Sequence, residues 1–189
     1  MSDDNERPTA ALDLITGELE AVTSRIDADA LDELAALLAG ADRVFVHGAG
    51  RSGIALRMTA MRLMHLGLAV HVVGETTTPA IAAGDVLLVA SGSGTTSGIV
   101  AAATTAAEAN ARVAVLTTAG DSPLAERADV VVVIPAAAKL DRSATASQQY
   151  AGSLFEQAVG LVGDAVFHSL WKRSGLTADE IWPRHANLE

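Results

Sequence analysis

"DVLLVASGSGTTSGIVAAATTAAEA", residues 85–109, runs from an apolar β-type segment through a loop of glycines and hydroxyls into an alanine-rich helix. The segment at 85–91 is Val and Leu without polar alternation, the mark of a strand covered on both faces. The helix, over 97–110, starts directly behind the loop. Strand, glycine-rich turn and helix in that order make the first part of a parallel crossover unit.

The same unit recurs on either side of this stretch. "RVFVHGAG" (43–50) is a short β-branched run ending in glycines, and "RSGIALRMTAMRLMHLG" (51–67) follows as a helix. Ile54, Met58, Met61 and His65 share one face of that helix, and Gly67 is its C-terminal cap. "LAVHVVG" (68–74), "RVAVLTT" (112–118) and "DVVVVIP" (129–135) supply three more strands, with "ETTTPAIAAG" (75–84) as a loop. Thr9 to Leu38 reads as two helices broken near Ser24–Asp29, because Leu12, Ile15, Leu19 and Val22, then Leu31, Leu34 and Leu38, recur at helical spacing. Residues 135–147 read as a loop, 148–174 as a long last helix closed near Gly175, and 175–189 as a C-terminal tail. These elements predict an α/β fold: a doubly wound, flavodoxin-like αβα sandwich on a five-stranded parallel sheet.

Composition narrows the function. With 189 residues, 50% of them apolar, the chain can bury the core of one domain. A net charge of −10 argues against nucleic acid, whose phosphates demand clustered cations. The absence of cysteine excludes disulfides and thiolate metal sites and points to the cytoplasm. The acidic start "MSDDNERPTAALD" does not read as an export signal, and no apolar stretch has the length of a membrane span.

Ligands of such sheets sit outside the carboxyl ends of the strands. Three loops fall there: "GAGRSG" (48–53), "GETTTPA" (74–80) and the serine loop (91–97). In the last, Ser91, Ser93, Thr95 and Thr96 offer hydroxyls, the glycines allow close approach, and the first helical amides carry the positive end of the dipole. That combination suits a phosphate monoester. No Gly-Lys-Ser/Thr follows, so nucleoside triphosphate is not expected. The plainer alternative is a turn whose Ser or Thr caps the helix. In "GAGRSG" the third glycine comes too early for a dinucleotide fingerprint, but Gly50, Arg51 and Ser52 open the next helix, where Arg51 can meet a phosphate or simply face solvent.

Glu156 stands in "SLFEQAVGLVG", a helix apolar on most faces, with Gly160 and Gly163 making room for a neighbour. Burial raises a carboxyl toward general-base range; the structural alternative is a Glu paired with an Arg. His47, His71 and His168 read as structural. His65, in a last helical turn, reads as an imidazolium that favours the dipole. His185 follows Trp182 and Pro183, an anchoring pair, and is a functional candidate. No histidine spacing suits a metal.

Taken in order, "GAGRSG", "MRLMHLG", "VVGETTTPAIAAGD", "ASGSGTTSG", "LAERADVVVVIPA", "SLFE" and "RHANLE" resemble the 6-phospho-3-hexuloisomerases, which have the sugar isomerase (SIS) fold. The likeness covers nearly the whole chain. The serine loop alone indicates only the wider SIS group; "MRLMHLG", "GETTTPAI" and the tail narrow it. The resemblance implies interconversion of D-arabino-hex-3-ulose 6-phosphate and D-fructose 6-phosphate, the step after aldol capture of formaldehyde, without a cofactor. It also implies a homotetramer with sites between subunits, into which the tail can reach. By position, phosphate falls to Ser91, Ser93, Thr95 and Thr96 with Gly50, Arg51 and Ser52 opposite, and Glu156 becomes the catalytic base with His185 or His65 moving oxygen protons. Two departures matter. Thr95 stands where SIS loops often carry Glu, and the loop at 74–85 lacks the histidine expected of an arabinose 5-phosphate type isomerase. That enzyme and a non-catalytic phosphosugar sensor are the alternatives.

Overall fold

The computed structural model describes residues 7–137, 141 and 147–188. The chain forms α1 (Pro8–Thr23), α2 (Ala28–Ala39), β1 (Val44–Gly48), α3 (Gly50–His65), β2 (Val70–Val72), β3 (Val86–Ala90), α4 (Ser97–Glu108), β4 (Arg112–Thr117), β5 (Val130–Val133), α5 (Ser153–Ser174) and α6 (Ala178–Ile181), with 3-10 turns at Ala125–Arg127 and Trp182–Arg184. The five strands are all parallel, in the order β2-β1-β3-β4-β5.

Every residue of β3 is buried because each face of the sheet has its own core. Val86, Leu88 and Ala90 join Val44, Val46, Ala114 and Leu116 under α2, α3 and α5. Leu87 and Val89 join Phe45, Val113 and Val115 under α4. The period of two thus assigns each strand residue to one layer or the other. At the amino ends of β1 and β3, Arg43 grips Asp85 with Nε to Oδ1 at 2.9 Å and Nη2 to Oδ2 at 2.6 Å. Burial alone pushes the Asp85 carboxyl up, but Arg43 and the Ala82 amide outweigh it and hold the group below the usual carboxylate range.

Three elements differ in extent from the sequence reading, and one face points outward. The strand expected over 68–74 is only Val70–Val72, since it is an edge strand paired with β1 alone. The last helix begins at Ser153 rather than 148, because Ser147, Gln148 and Gln149 give their donors to Glu18 of α1 and Ala151 has a positive φ of 51°. The expected tail holds α6, closed by a Thr177/Glu180 capping box, and a further 3-10 turn. Ile54, Met58 and Met61 do share a face of α3, but it points outward, each residue more than half exposed, while Leu56, Ala60 and Leu63 pack inward. The loop read over 135–147 lies mostly outside the described residues. Among the described residues no helix is long and apolar enough to cross a membrane.

α3 ends where expected: Gly67 N–H donates to Met64 O and Leu68 N–H to Leu63 O, with Gly67 at φ 96°. Along its length α3 packs on α5, and a Cβ at Gly163 would overlap the Thr59 hydroxyl and lie 3.0 Å from Thr59 Cβ. Gly163→Ala is therefore expected to destabilise the fold by about 1–3 kcal/mol through overpacking. Thr59→Ala in the same chain should recover part of that loss, which a double-mutant cycle by denaturant unfolding measures.

Candidate active site

The chain leaves β1 toward one face of the sheet and β3 toward the other, so the crevice between their carboxyl ends is the switch point of the topology. A cleft of about 350 Å³ lies there, walled by Gly50, Arg51 and Ser52 from α3, Ser91, Ser93 and Thr96 from the serine loop, and Glu156 from α5. Ser52 and Ser91 are buried. The structure thus brings together seven of the eight residues that the sequence analysis assigned to phosphate or base. Thr95 is the exception: its hydroxyl turns to Ser93 Oγ at 3.0 Å, and the residue is not part of the wall.

Three helices start at this cleft, and none has a side-chain cap. The N-cap residues are Ala49 for α3, Thr96 for α4 and Gly152 for α5. Thr96 has the right side chain to cap, yet its hydroxyl pairs with Ser91 Oγ at 3.1 Å. The capping alternative raised for this loop therefore fails. Elsewhere α2 is capped by Asp27 and α6 by Thr177, while α1 starts from Arg7 with a proline in its first turn and no side-chain cap. Uncapped amides and three helix N-termini at one cleft are the kind of backbone arrangement that suits an anion.

Gly94 sets the shape of the loop. Its φ is 61°, and a Cβ there would overlap the Ser122 hydroxyl, so only glycine fits on both counts. Thr117 and Thr118, at the end of β4, donate their hydroxyls to Gly92 O at 3.1 and 2.8 Å. These threonines and Ser122 escaped the sequence reading; two polar residues closing the apolar run "VAVLTT" were the signal for the first pair. Glu18 gave no signal at all. Burial pushes its carboxyl up, but the Gln148 amide, the Ser147 hydroxyl and the Gln149 side chain together hold it below the usual range. Gln149 in turn accepts from Gln157 at 2.9 Å, which ties α1 to the turn of α5 that carries Glu156.

Glu156 is largely buried, its side chain 18% exposed, and it pairs with Arg51, whose Nε–H donates to Oε2 at 3.0 Å. This ion pair is the structural alternative that the sequence analysis gave for Glu156. The pair also joins this cleft to a second, more apolar groove of about 500 Å³ along α3 and α5, lined by Ile54, Met58, Gly160 and Leu161.

The candidate histidines lie elsewhere in the chain. His65 closes α3, some 15 residues and so roughly 20 Å along the helix from Arg51. The C-terminal segment folds back on it: the His185 ring stacks on His65 at 3.9 Å, Trp182 lies 4.5 Å from His185, and Arg184 donates to His65 O at 3.0 Å. His65 is only 3% exposed, and Nδ1 is buried without a partner among the described residues. Burial, then the neighbouring His185 and Arg62, pull its pKa below the ordinary value. Burial thus disfavours the imidazolium that the sequence analysis expected at this helix end. His71 packs on Phe45 at 5.1 Å and His168 edge-on to Trp171 at 5.8 Å, as structural roles require.

The SIS domain model matches residues 37–158. Over 181 residues the chain is 58% identical to a protein of Mycobacterium gastri named 3-hexulose-6-phosphate isomerase, covering 96% of this chain and 91% of that one. A Bacillus subtilis protein of the same name is 37% identical over 93% of this chain and 95% of its own. Among solved structures, a Methanococcus jannaschii protein superposes with a TM-score of 0.82 at 30% identity, over 95% of this chain and 99% of that one. Its crystal structure was described as inferring the molecular function of a 3-hexulose-6-phosphate isomerase.

The depressed His65 pKa makes stability depend on pH. Below the ordinary value of 6.5 the unfolded chain binds the proton more readily than the folded one. Stability is therefore expected to be full above that pH and to fall as pH drops beneath it. His65→Gln should remove that part of the slope in thermal melts across the range, leaving the portion due to His47, whose pKa burial also lowers.

Proposed function

The chain belongs to the SIS domain family, and on that premise we propose that it interconverts D-arabino-hex-3-ulose 6-phosphate and D-fructose 6-phosphate. The observation that carries the reading is the cleft at the β1/β3 switch point, where three uncapped helix starts surround the serine loop and one carboxylate stands at its edge. The names of the relatives specify which phosphosugar isomerase this is.

Moving the carbonyl from C3 to C2 requires loss of the C2 proton, a 2,3-enediol(ate), and return of a proton to C3. Glu156 takes and returns that proton. Ser91, Ser93 and Thr96, with Ser52 opposite, hold the phosphate on the helix amides. Backbone amides at the helix starts balance the charge that develops on the enediolate oxygen. Protons on the two sugar oxygens move through His185 or His65. Within one chain that pair is a helix length from Glu156, so it serves the cleft of a neighbouring subunit. The outward apolar face of α3, continued by Leu161 of α5, supports assembly of copies, for which we propose the homotetramer. The reaction consumes the aldol product of formaldehyde and ribulose 5-phosphate in the ribulose monophosphate pathway, in the cytoplasm, with no nucleic-acid or membrane partner.

Proton NMR of fructose 6-phosphate in D2O with the purified protein is expected to give deuterium at C3 and a new 3-hexulose 6-phosphate. Deuterium at C1 instead would assign an aldose-ketose isomerase, and binding without exchange or product a sensor. Glu156→Gln should keep the assembly intact and lower kcat by about a hundred- to ten-thousandfold; full turnover by that variant would refute the assignment of the base.

A further inference from the structure

We infer that Arg51 determines specificity for phosphorylated sugars by restraining Glu156 until a phosphoryl group draws it away; the inference rests on the function proposed above. Arg51 lines both the phosphate cleft and the adjoining groove, and its side chain is 62% exposed, so it has room to move. Glu156 is the more confined partner, held on α5 at a turn tied to α1 through Gln157, Gln149 and Glu18. Of the two, the arginine is the one that can leave.

At rest the Arg51 Nε–H occupies Glu156 Oε2. That contact occupies the carboxylate oxygen that general-base catalysis would use. A phosphate dianion in the cleft changes the competition. It brings two negative charges and three acceptor oxygens to a guanidinium whose planar fork suits bidentate contact with phosphate. The serine loop holds that dianion close to Arg51 because both belong to the same cleft wall. Arg51 then turns from carboxylate to phosphate, and Glu156 is released toward the sugar carbons. A sugar without a phosphoryl group leaves the pair closed. The exchange involves no covalent step; one ion pair is replaced by another.

The test separates this device from simple phosphate binding by using D-fructose, which lacks the phosphoryl group. Deuterium exchange into fructose by the full chain is followed with and without inorganic phosphate. Wild type is expected to exchange about tenfold faster with the dianion present, the scale of one hydrogen bond to a charged group. Arg51→Gln should exchange fructose faster than wild type without the dianion, gain nothing from adding it, and lose kcat/KM on fructose 6-phosphate mainly through KM. An arginine that only binds phosphate would leave the dianion-free rate on fructose the same in both proteins, and that equality overturns the inference. A second readout needs no turnover: the Arg51 Nε–H resonance should move on titration with inorganic phosphate, and an unmoved signal also overturns it. Wild type inactive on fructose 6-phosphate would refute the proposed reaction, and the Nε–H signal alone would then decide whether the arginine changes partners.

Discussion

Parallel strands cannot be joined by a tight turn; each must be followed by a crossover that travels the length of the sheet. In this chain the crossover after β1 packs α3 beside α2 and α5, while the one after β3 packs α4 on the opposite face. The two chain paths therefore part at the carboxyl ends of adjacent strands and leave a crevice that no other pair in the sheet provides. The position of the serine loop, the entrances of α3 and α4, and the access of α5 to both follow from that single divergence. The crevice lies at the centre of the sheet, where every residue of β3 is buried.

α3 has two working ends. Its first turn supplies Gly50, Arg51 and Ser52 to the cleft, and its last turn presents His65 under the folded-back His185 and Trp182. Between them runs the outward face of Ile54, Met58 and Met61. On the proposed reading these features are one arrangement. Two copies meeting along that face bring the histidines of one to the carboxylate of the other, and the helix serves as the spacer that sets their separation.

The fold was legible because its strands carry near-continuous Val and Leu runs and its helices start at glycine-rich turns, both local signals. That Ser91, Ser93 and Thr96 share one wall of the cleft was legible for the same reason, since they sit within a few residues of one another. What escaped depended on contacts between distant segments. Glu18 meets Ser147–Gln149 across some 130 positions, and no local pattern marks it. Hydrophobicity also could not say which face of α3 lies inward, because Ile54, Met58 and Met61 are as apolar as the core residues beside them. Nor could it show that His65 is buried, since the ring stacked on it arrives from the other end of the chain. The Arg51–Glu156 contact was readable only as a choice between two roles; the three-dimensional pairing shows why both residues earned notice.

The bare amides around the cleft also carry a thermodynamic meaning. An N-terminal cap contributes about 1 kcal/mol to a helix, and α3, α4 and α5 each forgo one. The empty protein is thus less stable than its sequence could make it, a concession common where function needs exposed polar groups. An anion that occupies the cleft supplies the missing partners to all three helices at once. By mass action, occupancy at a hundred times the dissociation constant adds about 2.7 kcal/mol to folding. On the proposed reading, the substrate that fills the cleft would also tighten the fold around it, through the same three helix starts.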